Sequence, residues 1–254
     1  MKIALFANHK PGVDIASYFA SIKNEDQIEA LYLPGQDENN DNIIISQSRL
    51  NHKNIFTGKE IIKNQDHIKW FKDQKFDAII CVYWPWLLSN EIFESVGITV
   101  NFHPALLPIN RGWFPHVHSL IDGSKAGVTI HKIEDGADTG AVWAQEEVIV
   151  KPTDTAKSLY DTLQLRIVDL FKNNWDAIKS GKCNATFQDE SNAIYRPKKA
   201  IESLDYIDLE KEMKVKDLLN LLRARSFGNL GFAYIEVEGK KVYLNLRLSE
   251  QYKF

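Results

Sequence analysis

Residues 100–115 read Val-Asn-Phe-His-Pro-Ala-Leu-Leu-Pro-Ile-Asn-Arg-Gly-Trp-Phe-Pro, and their start predicts a buried strand that ends on polar side chains. Residues two apart on a strand point to the same side, so Asn101 and His103 share a face. Pro104 holds His103 in an extended conformation and removes the next backbone donor, so the strand should end there. Open α/β sheets bind ligands at the carboxyl ends of their strands, which makes this strand end a candidate site.

Other apolar runs alternate with polar segments that have helical spacing. Buried strands are predicted at residues 3–7, 28–33, 78–83 and 98–102. The longest helix is predicted over residues 155–180. This alternation predicts a Rossmann-like α/β fold, with a mostly parallel sheet and helices on both faces.

The composition changes after the long helix. Residues 184–201 hold no long apolar run and are predicted to be a linker, followed by a helix at 215–224 and a β-hairpin around Gly239. We therefore predict a domain at 1–183 and a small C-terminal helix and hairpin extension, with its linker, at 184–254. A single hairpin cannot bury both of its faces, so this extension needs a partner surface.

Composition also excludes several classes of protein. A net charge of −3 over 254 residues gives no general attraction to nucleic acid or to acidic membranes. Apolar runs are too short for a signal peptide or a membrane span, and Cys81 and Cys183 fit thiols of a reducing compartment, so a cytoplasmic protein is expected. His116 and His118 have a spacing that can bind metal, but nothing nearby completes a tetrahedral set, so no metal site is predicted.

An acidic residue that could complete the site at the strand end is Asp138, 35 residues after His103. It lies in Gly127-Val-Thr-Ile-His-Lys-Ile-Glu-Asp-Gly-Ala-Asp-Thr-Gly140, where a short strand is predicted to run into a loop. Asn-x-His-Pro-x-Leu-Leu-Pro followed by Asp-Gly-x-Asp-x-Gly resembles the formyltransferases that use 10-formyltetrahydrofolate. The resemblance covers roughly residues 1–180 and implies an enzyme with this folate as co-substrate.

The resemblance implies a role for each of the three side chains. Formyl transfer to an amine passes through a tetrahedral intermediate with an oxyanion, to which Asn101 would donate a hydrogen bond. His103 would stabilise the same oxygen or accept the proton of the amine, and the sequence leaves these two roles open. Asp138 would orient His103 or an ordered water. Taken singly, each residue is also typical of a turn or a polar surface.

A second loop, residues 81–89, follows the strand predicted at 78–83 and reads Cys-Val-Tyr-Trp-Pro-Trp-Leu-Leu-Ser. In the resembling family the equivalent loop holds the pteridine ring. The candidates for folate binding are therefore Tyr83, Trp84, Trp86, Leu87 and Leu88. The alternative is an aromatic cluster of the core at the end of a strand.

A third loop, residues 107–115, resembles the Leu-Pro-x-Asn-Arg-Gly-x-x-Pro loop of sugar N-formyltransferases. Arg111 could bind a phosphate with its forked guanidinium, and Gly112 would let the backbone approach a ligand closely. Substrate candidates are Asn110, Arg111 and Gly112, and more weakly Asn8 and Lys10 beside a predicted helix start. The loop after the first strand lacks Gly-x-Gly-x-x-Gly, which argues against a nicotinamide enzyme.

The acceptor amine separates the members of the resembling family. A glycinamide ribonucleotide transformylase would normally end soon after the long helix, and a methionyl-tRNA formyltransferase would carry a longer, basic second domain. The chain from residue 182 onward is nearly balanced in charge, which does not favour tRNA binding.

We therefore interpret the chain as a homodimeric sugar N-formyltransferase with no nucleic-acid or membrane partner. It would formylate a nucleotide-linked, dTDP-type amino-dideoxy sugar for bacterial surface polysaccharide (O-antigen). The alternatives are a methionyl-tRNA formyltransferase-like enzyme and a catalytically silent nucleotide-sugar-binding module.

Overall fold

A seven-stranded sheet is the largest element of the fold. The computed structural model describes residues 1–22 and 26–251. In chain order the strands are β1 (Lys2–Ala7), β2 (Gln27–Leu33), β3 (Ile55–Thr57), β4 (Ala78–Val82), β5 (Ile98–His103), β6 (Arg111–Gly112), β7 (Ala126–His131), β8 (Val142–Val148), β9 (Tyr195–Arg196), β10 (Ser226–Phe227), β11 (Leu230–Gly231), β12 (Tyr234–Val237) and β13 (Lys240–Tyr243). The large sheet has the order β3-β2-β1-β4-β5-β7-β8.

Helices connect most of these strands. They are α1 (His9–Ser21), α2 (Glu38–Ser48), α3 (Gln65–Gln74), α4 (Asn90–Phe93), α5 (Pro115–Asp122), α6 (Ala156–Lys179) and α7 (Val215–Ala224). The pairs β1–β2, β1–β4, β2–β3 and β4–β5 are parallel, whereas β5–β7 is antiparallel. The predicted α/β class, with a mostly parallel sheet, is confirmed.

The four predicted strands and the predicted long helix agree with the observed ones to within one residue at each end. Strands β1, β2, β4 and β5 are those predicted from the apolar runs, and all five residues of β4 are buried. Strand β5 ends at His103, directly before Pro104. Since proline has no N–H to donate, the strand stops where the sequence predicted.

The described chain separates into two compact units. The first consists of residues 1–103, 129–145 and 164–188, and the second of residues 104–128, 146–163 and 189–254. In the first unit, an aromatic core lies on β1, β2 and α3, with Phe6, Tyr32 and Phe71 fully or almost fully buried. None of the helices within residues 1–22 and 26–251 has the length and apolar character that a bilayer crossing requires.

The segment 184–201, predicted to be a linker, contains short regular elements. A 3-10 helix covers Glu190–Asn192, and β9 pairs in parallel with β6. Helix α7 has the predicted bounds, and β12 and β13 form the predicted hairpin around Gly239. A domain boundary between residues 183 and 184 stays a prediction.

Candidate active site

Strands β5 and β7 place two polar side chains opposite each other. Their antiparallel register pairs Asn101 with His131 and His103 with Thr129. Side chains of directly opposite residues lie on the same face of a sheet and within contact distance. The end of β5 therefore presents Asn101 beside a histidine of the neighbouring strand.

Asp138 brings together the three side chains that the sequence predicted. Its Oδ2 lies 3.3 Å from Nδ1 of His103, and its Oδ1 accepts a hydrogen bond of 3.3 Å from Nδ2 of Asn101. The side chain of His103 is 5% exposed and that of Asp138 is 14% exposed. A partly desolvated carboxylate at this distance stabilises a positively charged imidazole. The carboxylate of Asp138 therefore lies where it can orient the His103 ring.

His131 is a fourth member of this cluster, and it was not among the residues predicted from the sequence. Nδ2 of Asn101 lies 3.0 Å from Nε2 of His131, and Nδ1 of His131 lies 2.6 Å from the carbonyl oxygen of Lys132. A carbonyl oxygen only accepts, so Nδ1 carries a proton, and in that tautomer Nε2 accepts from Asn101. His131 thus fixes the orientation of the Asn101 amide. The available signal was its position at the end of a strand, seven residues before Asp138.

The loop that carries Asp138 has an unusual backbone. Asp138 has φ of 57°, in the left-handed region, and Gly136 has φ of 109°. A Cβ at Gly140 would lie 1.9 Å from the carbonyl oxygen of Lys132. Only glycine fits there, because the two arms of the loop approach each other directly at this point. Non-glycine residues at positive φ are uncommon and concentrate at functional sites.

Asn8 joins the ends of β1 and β4. Its side chain is buried, donates to the carbonyl oxygen of Tyr83 at 3.3 Å and accepts from the N–H of His9 at 2.9 Å. Its own N–H donates to the carbonyl oxygen of Val82 at 3.0 Å. Tyr83 has φ of 55°. Asn8 therefore holds the start of the aromatic loop, and a role for it in binding substrate stays a prediction.

The aromatic loop after β4 divides between the core and the surface. Trp84 packs edge-on against Phe6 and Trp86, at centroid distances of 5.1 and 5.0 Å. Leu88 is buried in the same core cluster, whereas Leu87 is 68% exposed. The Trp84 and Leu88 side chains thus adopt the core packing that was the alternative interpretation. Folate contacts of Tyr83, Trp84, Trp86, Leu87 and Leu88 stay predictions.

The substrate candidates in the loop at 107–112 contact other residues of the second unit. Both terminal nitrogens of buried Arg111 donate to Glu190, at 3.0 and 2.6 Å, and these hydrogen bonds lower the pKa of the Glu190 carboxyl. A Cβ at Gly112 would lie 2.5 Å from the carbonyl oxygen of Arg196, so this glycine is required by the β6–β9 pairing. The guanidinium of Arg111 is thus already engaged by a carboxylate, and its contact with phosphate stays a prediction.

Asn110 is fully buried. Its Nδ2 donates to the hydroxyls of Ser119 and Ser124, at 3.3 and 2.9 Å, and its Oδ1 accepts from Nε of Arg196 at 3.0 Å. These hydrogen bonds give Asn110 a structural role that was not predicted from the sequence. In the first unit, Lys10 forms an ion pair with Asp14 one helical turn away. Phosphate contacts of Lys10 and substrate contacts of Asn110 and Gly112 stay predictions.

The histidines of α5 are buried. Burial lowers the pKa of His116 to about 3, and it also lowers the pKa of His118. Within the part of the chain that the structure describes, Nδ1 of His116 and Nε2 of His118 have no hydrogen-bond partner. No group of three or more His, Cys, Asp or Glu residues suited to a metal ion occurs among residues 1–22 and 26–251.

Both the N-terminal and the C-terminal part of this chain match known protein families. Residues 13–169 match the formyl transferase family, and residues 200–250 match the N-formyltransferase dimerization C-terminal domain. A dTDP-4-amino-4,6-dideoxyglucose formyltransferase of Mycobacterium tuberculosis is 36% identical over 179 residues, which cover 70% of this chain and 76% of that protein. A methionyl-tRNA formyltransferase of Coprothermobacter proteolyticus is 33% identical over 165 residues, covering 64% of this chain and 53% of the relative.

The fold is shared over almost the whole length. A 4-N formyltransferase from Francisella tularensis superimposes with a TM-score of 0.83 at 25% identity, and the match covers 98% of each chain. The family match includes Asn101, His103 and Asp138, which the structure brings together, and it extends over more than half of the sequence. The chain therefore belongs to the formyl transferase family.

Proposed function

We propose that the protein is a sugar N-formyltransferase that transfers the formyl group of 10-formyltetrahydrofolate to the amine of a nucleotide-linked amino-dideoxy sugar. The observation that carries this proposal is the 36% identity with a dTDP-4-amino-4,6-dideoxyglucose formyltransferase over 70% of the chain. The nucleotide is therefore proposed to be dTDP. The product would serve in a bacterial surface polysaccharide such as O-antigen.

Asn101 is proposed to donate to the oxyanion. The amine attacks the formyl carbon, a C–N bond forms, and the carbonyl oxygen gains negative charge. One proton of Asn101 Nδ2 is directed to His131 at 3.0 Å and the other to Asp138 at 3.3 Å. The longer and weaker of these bonds is the one that turns to the oxyanion, a contact worth about 2.7–4 kcal/mol in the transition state.

His103 and Asp138 are proposed to move the proton. His103 accepts it from the attacking amine, and Asp138, 3.3 Å from Nδ1, stabilises the imidazolium. The proton then passes to N10 of the folate as the bond between N10 and the formyl carbon breaks. Charge and atoms balance, because the amine loses one proton and the leaving nitrogen gains one.

The folate is proposed to lie along the aromatic loop after β4. Strands β4 and β5 are parallel neighbours, and their register pairs Cys81 with Asn101. The loop that begins at Tyr83 therefore leaves the sheet beside the catalytic strand end. Tyr83 has φ of 55°. A positive φ at a non-glycine residue persists only where the surrounding structure holds it, and such residues concentrate at ligand sites.

The C-terminal residues are proposed to form a homodimer. Residues 200–250 match a dimerization domain, and the hairpin exposes Val237, Val242 and Tyr243 by 44%, 44% and 61%. Apolar side chains on a small hairpin need a covering surface. We propose the cytoplasm as the location, since Cys81 and Cys183 are both free thiols.

The activity is tested by following tetrahydrofolate release against a panel of dTDP- and UDP-linked amino sugars. We expect turnover with a dTDP-linked 4-amino sugar, and only a modest fall between low and moderate salt, because few phosphates are contacted. Formylation of charged initiator tRNA at a rate that rivals every amino sugar would contradict the proposal.

The oligomeric state is tested by analytical ultracentrifugation of the full chain at micromolar concentration. We expect a dimer, and a monomer once the chain is cut near Lys211. A full-length chain that sediments as a monomer would refute the dimer.

A further inference from the structure

Gln188 contacts the loop that carries Asp138 at two points. Its Nε2 donates to the carbonyl oxygen of Asp138 at 2.8 Å and to that of Gly140 at 2.7 Å. All three residues belong to the first unit. Gln188 itself lies outside both residues 13–169 and residues 200–250, the segments that match known families.

The segment before Gln188 is fixed to the strand that the loop enters. The N–H of Thr186 donates to the carbonyl oxygen of Val142 and the N–H of Val142 to that of Thr186, both at 2.8 Å. Val142 is the first residue of β8 and follows Gly140 by two positions. The backbone of the segment and the side-chain amide of Gln188 thus hold the same arm of the loop.

The two bonds restrain the backbone on either side of Thr139. A single amide that donates to both carbonyl oxygens restrains their relative direction, next to the left-handed backbone of Asp138. The Asp138 carboxylate reaches His103 at 3.3 Å and Asn101 at 3.3 Å from this backbone. Both distances already lie at the long end of the hydrogen-bond range, so a further displacement of the carboxylate would lose the contacts.

We propose that Gln188 is a positioning residue for catalysis: its side-chain amide holds the backbone of Asp138 and Gly140, so that the Asp138 carboxylate faces His103 and Asn101. This inference rests on the proposed function of the same site. Gln188 acts through Asp138 and does not touch the reacting atoms. Its loss should therefore lower kcat and leave KM for folate and for the sugar nucleotide nearly unchanged.

The first test compares Gln188→Ala with Gln74→Ala. Gln74 lies on α3 of the same unit, and its amide donates to the carbonyl oxygen of Trp70. We expect Gln188→Ala to lower kcat by about tenfold to a hundredfold, since a displacement near 1 Å costs that much, and Gln74→Ala to leave it unchanged. An unchanged kcat in Gln188→Ala overturns the proposal.

A second variant, Gln188→Glu, tests the proposal even if Gln188→Ala does not fold. In Gln188→Glu the ionised carboxylate meets two carbonyl oxygens, whereas the protonated form regains one donor. The activity of this variant relative to the wild type should rise as pH falls from about 8 to about 5.5, because a carboxyl group facing carbonyl oxygens takes up a proton more readily. A ratio that does not change with pH overturns the proposal.

A substrate-free measurement separates this inference from the proposed function. The titration of His103, followed by NMR, should shift to lower pH in Asp138→Asn, because a neighbouring negative charge is removed. It should shift in the same direction, by a smaller amount, in Gln188→Ala. A fall in kcat without this shift overturns the inference, since the effect would not run through Asp138. A wild type that formylates no amino sugar would defeat the proposed function, and the NMR shift would still test the contact.

Discussion

Two loops of this protein both contain polar residues and glycine but use their side chains differently. In the loop after β7, Gly140 allows a close backbone approach, and the Asp138 carboxylate faces Asn101 and His103 on a neighbouring strand. In the loop at 107–112, Arg111 is engaged by a carboxylate of its own unit. The first arrangement gathers a carboxylate, an imidazole and an amide in one cluster, and the second pairs a guanidinium with a carboxylate. The bonding partners of a polar residue, more than its type, indicate its role.

The largest expected effect tests the first loop and its strand. Replacing Asn101, His103 or Asp138 with Ala should lower kcat by about a hundredfold or more, while the melting temperature stays close to that of the wild type. Turnover measured by tetrahydrofolate release, with melting followed in parallel, checks this. A variant with unaltered turnover would remove its residue from the mechanism and weaken the contrast between the loops.

The next largest effect tests His131, which belongs to the cluster around the first loop. His131→Ala should lower kcat by up to about a hundredfold, because the Asn101 amide loses the acceptor that sets its orientation. Steady-state kinetics of this variant should be compared with those of His52→Ala, which alters an exposed histidine of the same unit. Equal kcat in the two variants would show that Asn101 needs no such acceptor.

The corresponding test of the second loop is Asn110→Ala. The free energy of unfolding should fall by about 1–3 kcal/mol, since three polar groups lose the hydrogen bonds they make to a fully buried side chain, while kcat of the folded enzyme is retained. Urea unfolding measures the first quantity, with the exposed Asn229→Ala as the control. A variant that is as stable as the wild type but has a much lower kcat would show that Asn110 acts in function and not in stabilising the fold.

A pH test concerns α5, which begins shortly after the second loop. The pKa of His116 is about 3 in the folded state because the ring is buried, and about 6.5 in an unfolded chain. Between these values the unfolded chain binds more protons, so stability should fall as pH is lowered, by up to about 1.4 kcal/mol per pH unit. Urea unfolding of the wild type and of His116→Phe checks this, and equal slopes in the two would contradict it.

The smallest expected effect tests whether Arg111 also binds phosphate, which would remove the contrast between the two loops. If phosphate also binds Arg111, it competes with the exposed Glu190 carboxylate for the same nitrogens. Glu190→Gln should then strengthen dTDP binding by no more than about fivefold, because an exposed charge is largely screened. Calorimetric titration with dTDP measures this change. Unchanged affinity would leave Arg111 wholly among the structural residues.

Local patterns were sufficient to predict the main fold. The apolar runs of β1, β2, β4 and β5 and the periodicity of α6 are properties of contiguous sequence, and the structure places them within a residue of the predicted bounds. Strand β3 has three residues and β9 has two, which is too short for any pattern to stand out. Short strands form because a neighbour pairs with them, and single-sequence patterns do not record that pairing.

The site was predictable only in part, for a related reason. The motif around His103 and the loop around Asp138 predicted three members of the cluster, which are Asn101, His103 and Asp138. His131 and Gln188 join it through pairing across strands and through a segment distant in sequence. The motif around Asn110 predicts a ligand contact, which stays a prediction, whereas its three hydrogen-bond partners could not be foreseen from local sequence.

The antiparallel register of β5 and β7 has a consequence for folding. Side chains alternate between faces along a strand, so a slip of β7 by one residue would turn His131 to the other side of the sheet. The same slip would displace the loop that follows β7, and Asp138 with it. The contacts of His131 and Asp138 with Asn101 therefore report on correct strand alignment as well as on chemistry. During refolding, recovery of activity should coincide with the completion of this strand pair, which makes turnover a direct assay of sheet assembly.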